Sequence, residues 1–334
     1  MKPNITKIAK DLSLSRSTVS RALSGSCGVS PEKRKLIFDY LKNQKWEMPS
    51  LNKESSRIVI AAGIPSRQAF FWSQAIDGIK RALSEAGGEV LLKLIRFGEG
   101  RTEEETLHVI NMLGSCRADG YIVVPVQGEI VQGELKRLSA DAPVAVINER
   151  INFDGRFLFA GPDDYNLGKE AANVMIADNK GKLKAVIIKP LRDFSSINDR
   201  IKGFKEVFLK HDDCLVTKII EAPISGQQSP SKIARELSSI DFDSYNCIYV
   251  ADGILDYVAT ALSKLGRHDR VYCLCHDVPL ANPQNNYSGL WGAYINQDID
   301  YQGYIAAKKL ILYLKGVEPF SSSHIISPYI IRRF

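Results

Sequence analysis

Apolar and polar positions follow two different periods along this chain. From Ile5 to Leu41 the period is helical. Ile5, Ile8, Ala9 and Leu12 fall at i, i+3, i+4 and i+7 and form one apolar stripe. Ser13-Leu14 breaks the stripe, and Ser15 can cap a second helix because its hydroxyl can accept a backbone N–H one turn on. In that helix Val19, Ala22 and Leu23 turn inward, while Arg16, Ser17, Ser20 and Arg21 share the opposite face. Gly25 suits a left-handed cap, and Ser30-Pro31 opens a third helix burying Leu36, Ile37, Tyr40 and Leu41. The pattern predicts a small three-helix core, with Trp46 and Met48 near its end and Pro49 at its boundary.

From Ile58 the texture changes. Short β-rich runs (58–62, 89–95, 121–125, 144–148, 184–188, 247–250 and 271–275) alternate with amphipathic stretches near 73–86, 103–113, 165–177, 198–210, 254–265 and 299–315. This repeat predicts parallel sheets with ligand sites at the carboxyl ends of strands. The roughly 275 residues involved are many for one sheet, so two similar α/β lobes with a cleft are expected. The fold class is thus an all-α headpiece followed by a two-lobed, Rossmann-like α/β domain.

Charge sharpens the division. Residues 1–57 hold 12 Lys and Arg against 5 Asp and Glu, a net of +7; the whole chain is +6, leaving −1 for the rest. A basic module joined to a neutral one is the electrostatic footprint of phosphate binding. Small polar residues and two arginines on an exposed helix face suit base edges and phosphates, although a solvated helical hairpin would share the pattern.

Other chemistry is sparse. The six cysteines (Cys27, Cys116, Cys214, Cys247, Cys273 and Cys275) form no C-x-x-C pair. Cys273 and Cys275 share one strand face as buried free thiols rather than a metal or redox site. The five histidines fall in no G-x-S-x-G, H-E-x-x-H or P-loop context, and Gly98-Glu99-Gly100 lacks the remaining glycine of a dinucleotide fingerprint. No catalytic residue, metal or cofactor is expected. Neither a signal peptide nor a membrane span is visible, so a cytoplasmic protein with no membrane partner is expected.

The run from Ile5 to Pro49 resembles the DNA-binding headpiece of the LacI/GalR family of transcriptional regulators. The resemblance is carried by Ile8-Ala9, Leu14-Ser15, Ser17-Thr18-Val19-Ser20-Arg21-Ala22-Leu23, Val29-Ser30-Pro31-Glu32 and Trp46-Glu47-Met48-Pro49. It implies a helix-turn-helix over residues 1–49, with Arg16, Ser17 and Arg21 near base edges and Thr6, Thr18 and Ser20 holding phosphates or the groove wall. The segment 50–57 departs from the family pattern. It reads as a short linker without the usual A-R-x-L hinge helix, whose leucine wedges into the minor groove; Leu51 is its only large apolar residue.

Residues 58–334 resemble periplasmic sugar-binding proteins, as the same family implies for its effector domain. The analogy puts crossovers between lobes near 160–161, 290–291 and 321–323, giving lobe 1 as 58–160 plus 291–321 and lobe 2 as 161–290 plus 322–334. It also marks candidate effector contacts. Phe71 and Trp72, in the run Phe70-Phe71-Trp72, can stack on a sugar face, though core packing is the alternative. Glu149-Arg150 stands where relatives carry Asp-Arg, with a surface salt bridge as the other reading. Arg200 matches the R-x-x-G-[FW] arginine that reaches into the cleft. Asp252 and Asp277 follow strands, where either could instead cap a helix. Gln297 can contact ligand or stabilise a crossover.

The expected function is a sequence-specific DNA-binding regulator, a repressor, controlled by a polyhydroxylated effector held between the lobes. A sugar, a sugar acid and a sugar phosphate all remain open. The partners implied are double-stranded operator DNA, the small-molecule effector and a second copy of the chain, because two-fold symmetry matches palindromic sites. The sequence shows no C-terminal heptad helix that would build a tetramer, so a homodimer is expected. The other classes considered are an enzyme on the same α/β scaffold and a stand-alone sugar-binding protein. Missing catalytic motifs oppose the first; the basic headpiece and the missing signal peptide oppose the second.

Overall fold

A computed structural model describes residues 4–23, 29, 31–44, 46, 57–66, 69–98, 102–191, 194–223, 228–241, 244–267, 269–277, 290–320, 323–326 and 329–332. Gly25, Ser30, Pro49 and nearly all of the 50–57 linker lie outside these residues.

Three helices come first: α1 (Ile5–Asp11), α2 (Arg16–Leu23) and α3 (Pro31–Asn43). Asn4 caps α1 by accepting the Lys7 N–H at 3.1 Å. The chain turns at Ser13, whose φ of 52° lies in the left-handed region. Ser15 then accepts the Thr18 N–H at 3.0 Å and starts α2. Ile8, Ala9, Val19, Ala22, Val29, Ile37 and Leu41 close one buried core. Leu36, placed in that core by its spacing, is instead 47% exposed, and Phe38 packs on the core in its stead. Trp46 lies edge-on to Tyr40 at 6.0 Å, with the Lys7 ammonium 5.7 Å from its ring centre.

The whole chain divides into two compact units, the three helices belonging to the first. One holds residues up to Ala160 together with Ile299–His324; the other holds Gly161–Asp298 and Ile325–Phe334. The sheet of the first unit contains β1 (Ile58–Pro65), β2 (Val90–Phe97), β3 (Gly120–Val123), β4 (Val144–Ile147), β5 (Phe157–Pro162) and β11 (Ser323–Ile326), ordered β11-β5-β4-β3-β1-β2. Its helices are α4 (Ala69–Glu85), α5 (Glu103–Gly114), α6 (Glu129–Asp141) and α11 (Ile299–Leu314).

The second unit's sheet contains β6 (Leu183–Pro190), β7 (Cys214–Ala222), β8 (Cys247–Val250), β9 (Tyr272–His276), β10 (Trp291–Asn296) and β12 (Tyr329–Arg332), ordered β12-β10-β9-β8-β6-β7. Its helices are α7 (Asp164–Asp178), α8 (Ser195–Phe208), α9 (Gln228–Ser238) and α10 (Leu255–Lys264). The pairs β1–β2, β1–β3, β3–β4 and β4–β5 are parallel, as are β6–β7, β6–β8, β8–β9 and β9–β10. β12 runs antiparallel to β10. In the second unit both sheet faces are covered by apolar cores: Leu167, Ala171, Phe204, Phe208 and Tyr249 on one, Ile233, Leu237, Val258 and Leu262 on the other.

The location of β10 corrects the expected second crossover. Trp291–Asn296 pairs with β9 along the sheet of the second unit, so the chain leaves that unit after Asp298 and not at 290–291. The hydrogen bonds of the parallel ladder decide this, and an isolated six-residue run cannot announce its neighbours.

The same strand order recurs in both sheets. In each, the first strand is flanked by the third and the second, so the connections leaving the adjacent first and third strands run to opposite faces. This is the topological switch point at which open α/β sheets bind ligands.

Candidate functional site

In the second unit the carboxyl ends of β6, β8, β9 and β10 face a polar cluster. Arg200 projects from the second turn of α8 and is 3% exposed. Its Nε donates to Asp164 Oδ1 at 2.7 Å, its Nη1 to the Ala251 carbonyl at 3.3 Å and its Nη2 to Gln297 Oε1 at 3.2 Å. Gln297 in turn clamps Asp277. Its backbone N–H donates to Asp277 Oδ1 at 3.1 Å, and its side-chain amide donates to Oδ2. Asp252, half-buried after β8, accepts the Gly253 N–H at 2.8 Å. Behind these groups, Tyr249 stacks on Phe204 at 4.3 Å, and its hydroxyl lies 2.9 Å from His276 Nε2.

Local sequence explains how the cluster is built. Asp163 already caps α7 by accepting the Asn166 N–H at 3.0 Å, which leaves Asp164 to turn inward. Gly168 on α7 and Gly203 on α8 let the two helices touch. A Cβ on Gly168 would stand 1.9 Å from the Arg200 carbonyl oxygen, and one on Gly203 1.9 Å from that of Tyr165. This close approach brings Asp164 within reach of Arg200. Asp277 (φ 48°) and Asp298 (φ 51°) adopt the left-handed conformation just beyond β9 and β10. Aspartate tolerates it at a small cost, and such residues concentrate at ligand sites.

Burial and neighbouring charge set the protonation states. Burial opposes the charge on Arg200, but Asp164 and Asp277 outweigh it and hold the guanidinium firmly protonated. Burial pushes the Asp164 carboxyl up, and Arg200 offsets part of that. Asp277 is pushed up to about 6, mainly by burial, against the pull of Arg200 and the Gln297 hydrogen bonds. His276 is driven well below its ordinary range by burial and by Arg200, so its ring is neutral. Burial likewise raises Cys273, to about 12, and Cys275, and both are free buried thiols.

The first unit places its candidates differently. Asn148 sits just after β4 with φ 68°, spanned by a Glu149 N–H to Ile147 carbonyl bond of 2.9 Å. Such a three-residue turn with positive φ is rare and strained. Gln302 of α11 holds it by accepting the Asn148 N–H at 3.0 Å. Glu149 is buried, and Arg150 is exposed with its guanidinium 4.9 Å from the Phe159 ring centre. Trp72 is 6% exposed and lies edge-on to Phe71 at 4.9 Å. Phe71 is half-buried, and Phe70 is the exposed ring of the three. Three aromatics on one helical turn point in three directions, and only the backbone angle decides which faces the core.

The structure therefore brings Arg200, Asp277 and Gln297 together, with Asp252 close by. It adds Asp164, the Ala251 carbonyl, Tyr249 and His276, which sequence reasoning passes over. One signal existed for Asp164: the doubled acid Asp163-Asp164 opens a helix that needs a single cap.

On the three-helix region, Thr6, Arg16, Ser17, Ser20 and Arg21 are exposed. Thr18 is half-buried, its hydroxyl 2.7 Å from Ser15 Oγ within the α2 cap. No metal-binding cluster of His, Cys, Asp or Glu occurs among the described residues, and none of the described helices is long and apolar enough to cross a membrane.

Two six-stranded, mainly parallel sheets with this strand order, each with charged and amide side chains at its strand ends, define a binding fold. The periplasmic binding protein domain matches residues 60–318, and the chain belongs to that family, one of binding proteins rather than enzymes. Solved relatives share the fold at low identity. The glucose-galactose binding protein GanP of Geobacillus stearothermophilus is 19% identical, with a TM-score of 0.70 over 84% of this chain and 98% of its own. An ABC transporter solute binding protein of Burkholderia graminis, solved with D-arabinose, is 17% identical, with a TM-score of 0.71 over 84% of this chain and 97% of its own. A periplasmic solute binding protein of Actinobacillus succinogenes, solved with D-allose, is 16% identical at a TM-score of 0.69, over 83% of this chain and 98% of its own. Among curated proteins, the NTD biosynthesis operon regulator NtdR of Bacillus subtilis (strain 168) is 31% identical over 136 residues. The match spans 38% of this chain and 38% of that regulator's length.

Proposed function

We propose that this chain is a LacI/GalR-type transcriptional repressor: a DNA-binding headpiece at residues 1–49, a linker at 50–57 and a sugar-sensing domain beyond. One observation carries the reading. A capped helix exposing Arg16, Ser17, Ser20 and Arg21, in a segment of net charge +7, precedes a binding-protein fold of opposite net charge. The partial likeness to the regulator NtdR supports it. In this reading Arg16, Ser17 and Arg21 contact base edges, Thr6 and Ser20 hold phosphates, and Thr18 acts through the cap of α2. A homodimer presents two headpieces to a palindromic operator. The effector is a polyhydroxylated sugar. Its contacts are assigned to the carboxyl ends of the strands of each unit: Phe71, Trp72, Glu149 and Arg150 in the first, Arg200, Asp252, Asp277 and Gln297 in the second. Because DNA and effector bind one molecule, each changes the affinity of the other by the same factor.

A stand-alone sugar-binding protein is the second reading, favoured by the solute-binding neighbours. Selection from a random duplex pool separates the two. The full chain should enrich a palindromic site, and Arg21→Ala should weaken binding to it by about 1–3 kcal/mol, with the unfolding midpoint measured alongside so that lost contact is separated from lost folding. Failure of the unmodified chain to enrich any duplex would leave the second reading standing.

A further inference from the structure

Arg200 is the strongest cation in the second unit's polar cluster, and it is already engaged. A guanidinium grips a carboxylate best side-on, through Nε and one Nη together. Nε carries a single hydrogen, and Asp164 takes it at 2.7 Å with both side chains almost wholly buried, 4% and 7% exposed. Nη1 and Nη2 each donate once, to the Ala251 carbonyl and to Gln297. Each keeps one further hydrogen, a donor suited to single hydroxyl oxygens. Around this one cation the described residues set three carboxylates, Asp164, Asp277 and Asp252, while His276 is neutral. A ligand carboxylate or phosphate would meet an occupied fork and an excess of negative charge at low dielectric.

We propose that Asp164 is a specificity-determining residue that excludes acidic sugars, so the effector is an uncharged sugar. Asp164 acts through Arg200, as a positioning residue, and need not touch the ligand. This inference rests on the sugar-binding reading above and narrows its ligand class, which the residue types alone leave open to sugar acids and sugar phosphates.

Calorimetric titration of the full chain with three matched pairs tests it: D-glucose against D-glucuronate, D-galactose against D-galacturonate, and D-arabinose against D-arabinonate. At least one neutral member should bind, and tenfold or more tighter than its acid. Asp164→Asn keeps a hydrogen-bond acceptor beside Arg200 but removes the charge, and should narrow that ratio at least tenfold. Asp164→Glu should restore it, which a purely structural role for the side chain would not predict. An acid that binds unmodified protein as tightly as its neutral partner overturns the proposal, and that measurement needs no variant to fold. An unchanged ratio in folded Asp164→Asn overturns it as well. If none of the six compounds binds, the sugar-binding reading fails, and this inference with it; binding by the neutral sugars with no discrimination defeats the charge filter alone.

Discussion

The two units build the same helix crossing and use it differently. In the second, Gly168 and Gly203 bring α7 onto α8; in the first, Gly303 and Gly78 bring α11 onto α4. A Cβ on Gly303 would stand 2.2 Å from the Ala75 carbonyl oxygen, and one on Gly78 1.9 Å from that of Asp300. The spacing matches residue for residue. Arg200 lies three positions before Gly203, as Ala75 lies three before Gly78; Asp164 lies four before Gly168, as Ile299 lies four before Gly303. One crossing buries an ion pair where its twin buries Ala75 and Ile299. The scaffold therefore does not need the charges. Their presence in one copy only marks them as chemistry added to a frame that is stable without them.

The largest expected effect follows from breaking that chemistry by halves. Arg200→Ala leaves Asp164 buried without its partner and should cost on the order of 3–5 kcal/mol in urea unfolding at neutral pH. Copying the other unit in full, with Arg200→Ala and Asp164→Ile together, should recover a large part of the loss. A double variant as unstable as the single would sever the likeness between the crossings. Next come the glycines. Gly168→Ala and Gly303→Ala each force a methyl against backbone carbonyl, and each should cost about 1–3 kcal/mol. A cost at one position and none at the other would show that the two crossings tolerate strain differently.

The smallest effect is a pH profile. Asp277 is raised to about 6, so its carboxylate, which the proposed reading sets against a sugar hydroxyl, prevails above that pH and is lost below it. The ionised fraction of such a group falls about tenfold per pH unit below its pKa. Affinity for a neutral sugar should therefore drop several-fold between pH 7.5 and pH 5, with the thermal shift on binding shrinking in step. Asp277→Asn should bind more weakly at pH 7.5 and lose this slope.

How much of this could be read in the residues depends on where each signal resides. β1, β6, β8 and β9 are short apolar runs because parallel strands are covered on both faces, so they stand out. β7 does not. It is an edge strand with Lys218 and Glu221 among its apolar residues, and its pattern is mixed. Arg200, Asp277 and Gln297 are each marked by family motifs, and direct hydrogen bonds link them in the structure. Asp164 stayed hidden because a helix-opening aspartate reads as a cap, and its inward turn depends on a helix crossing that no local window contains. Which of Phe70, Phe71 and Trp72 is buried is hidden for a related reason: ring type does not reveal orientation.

The three tryptophans are distributed one to a region: Trp46 on the three-helix core, Trp72 inside the first unit and Trp291 on the second. Their surroundings differ, half-buried beside Tyr40, 6% exposed and 48% exposed. An enclosed indole emits at shorter wavelength than a wet one, so the chain carries three optically distinct beacons without any label. Removing two at a time would leave a single lamp in a chosen region. The order in which those regions melt then becomes a matter of colour.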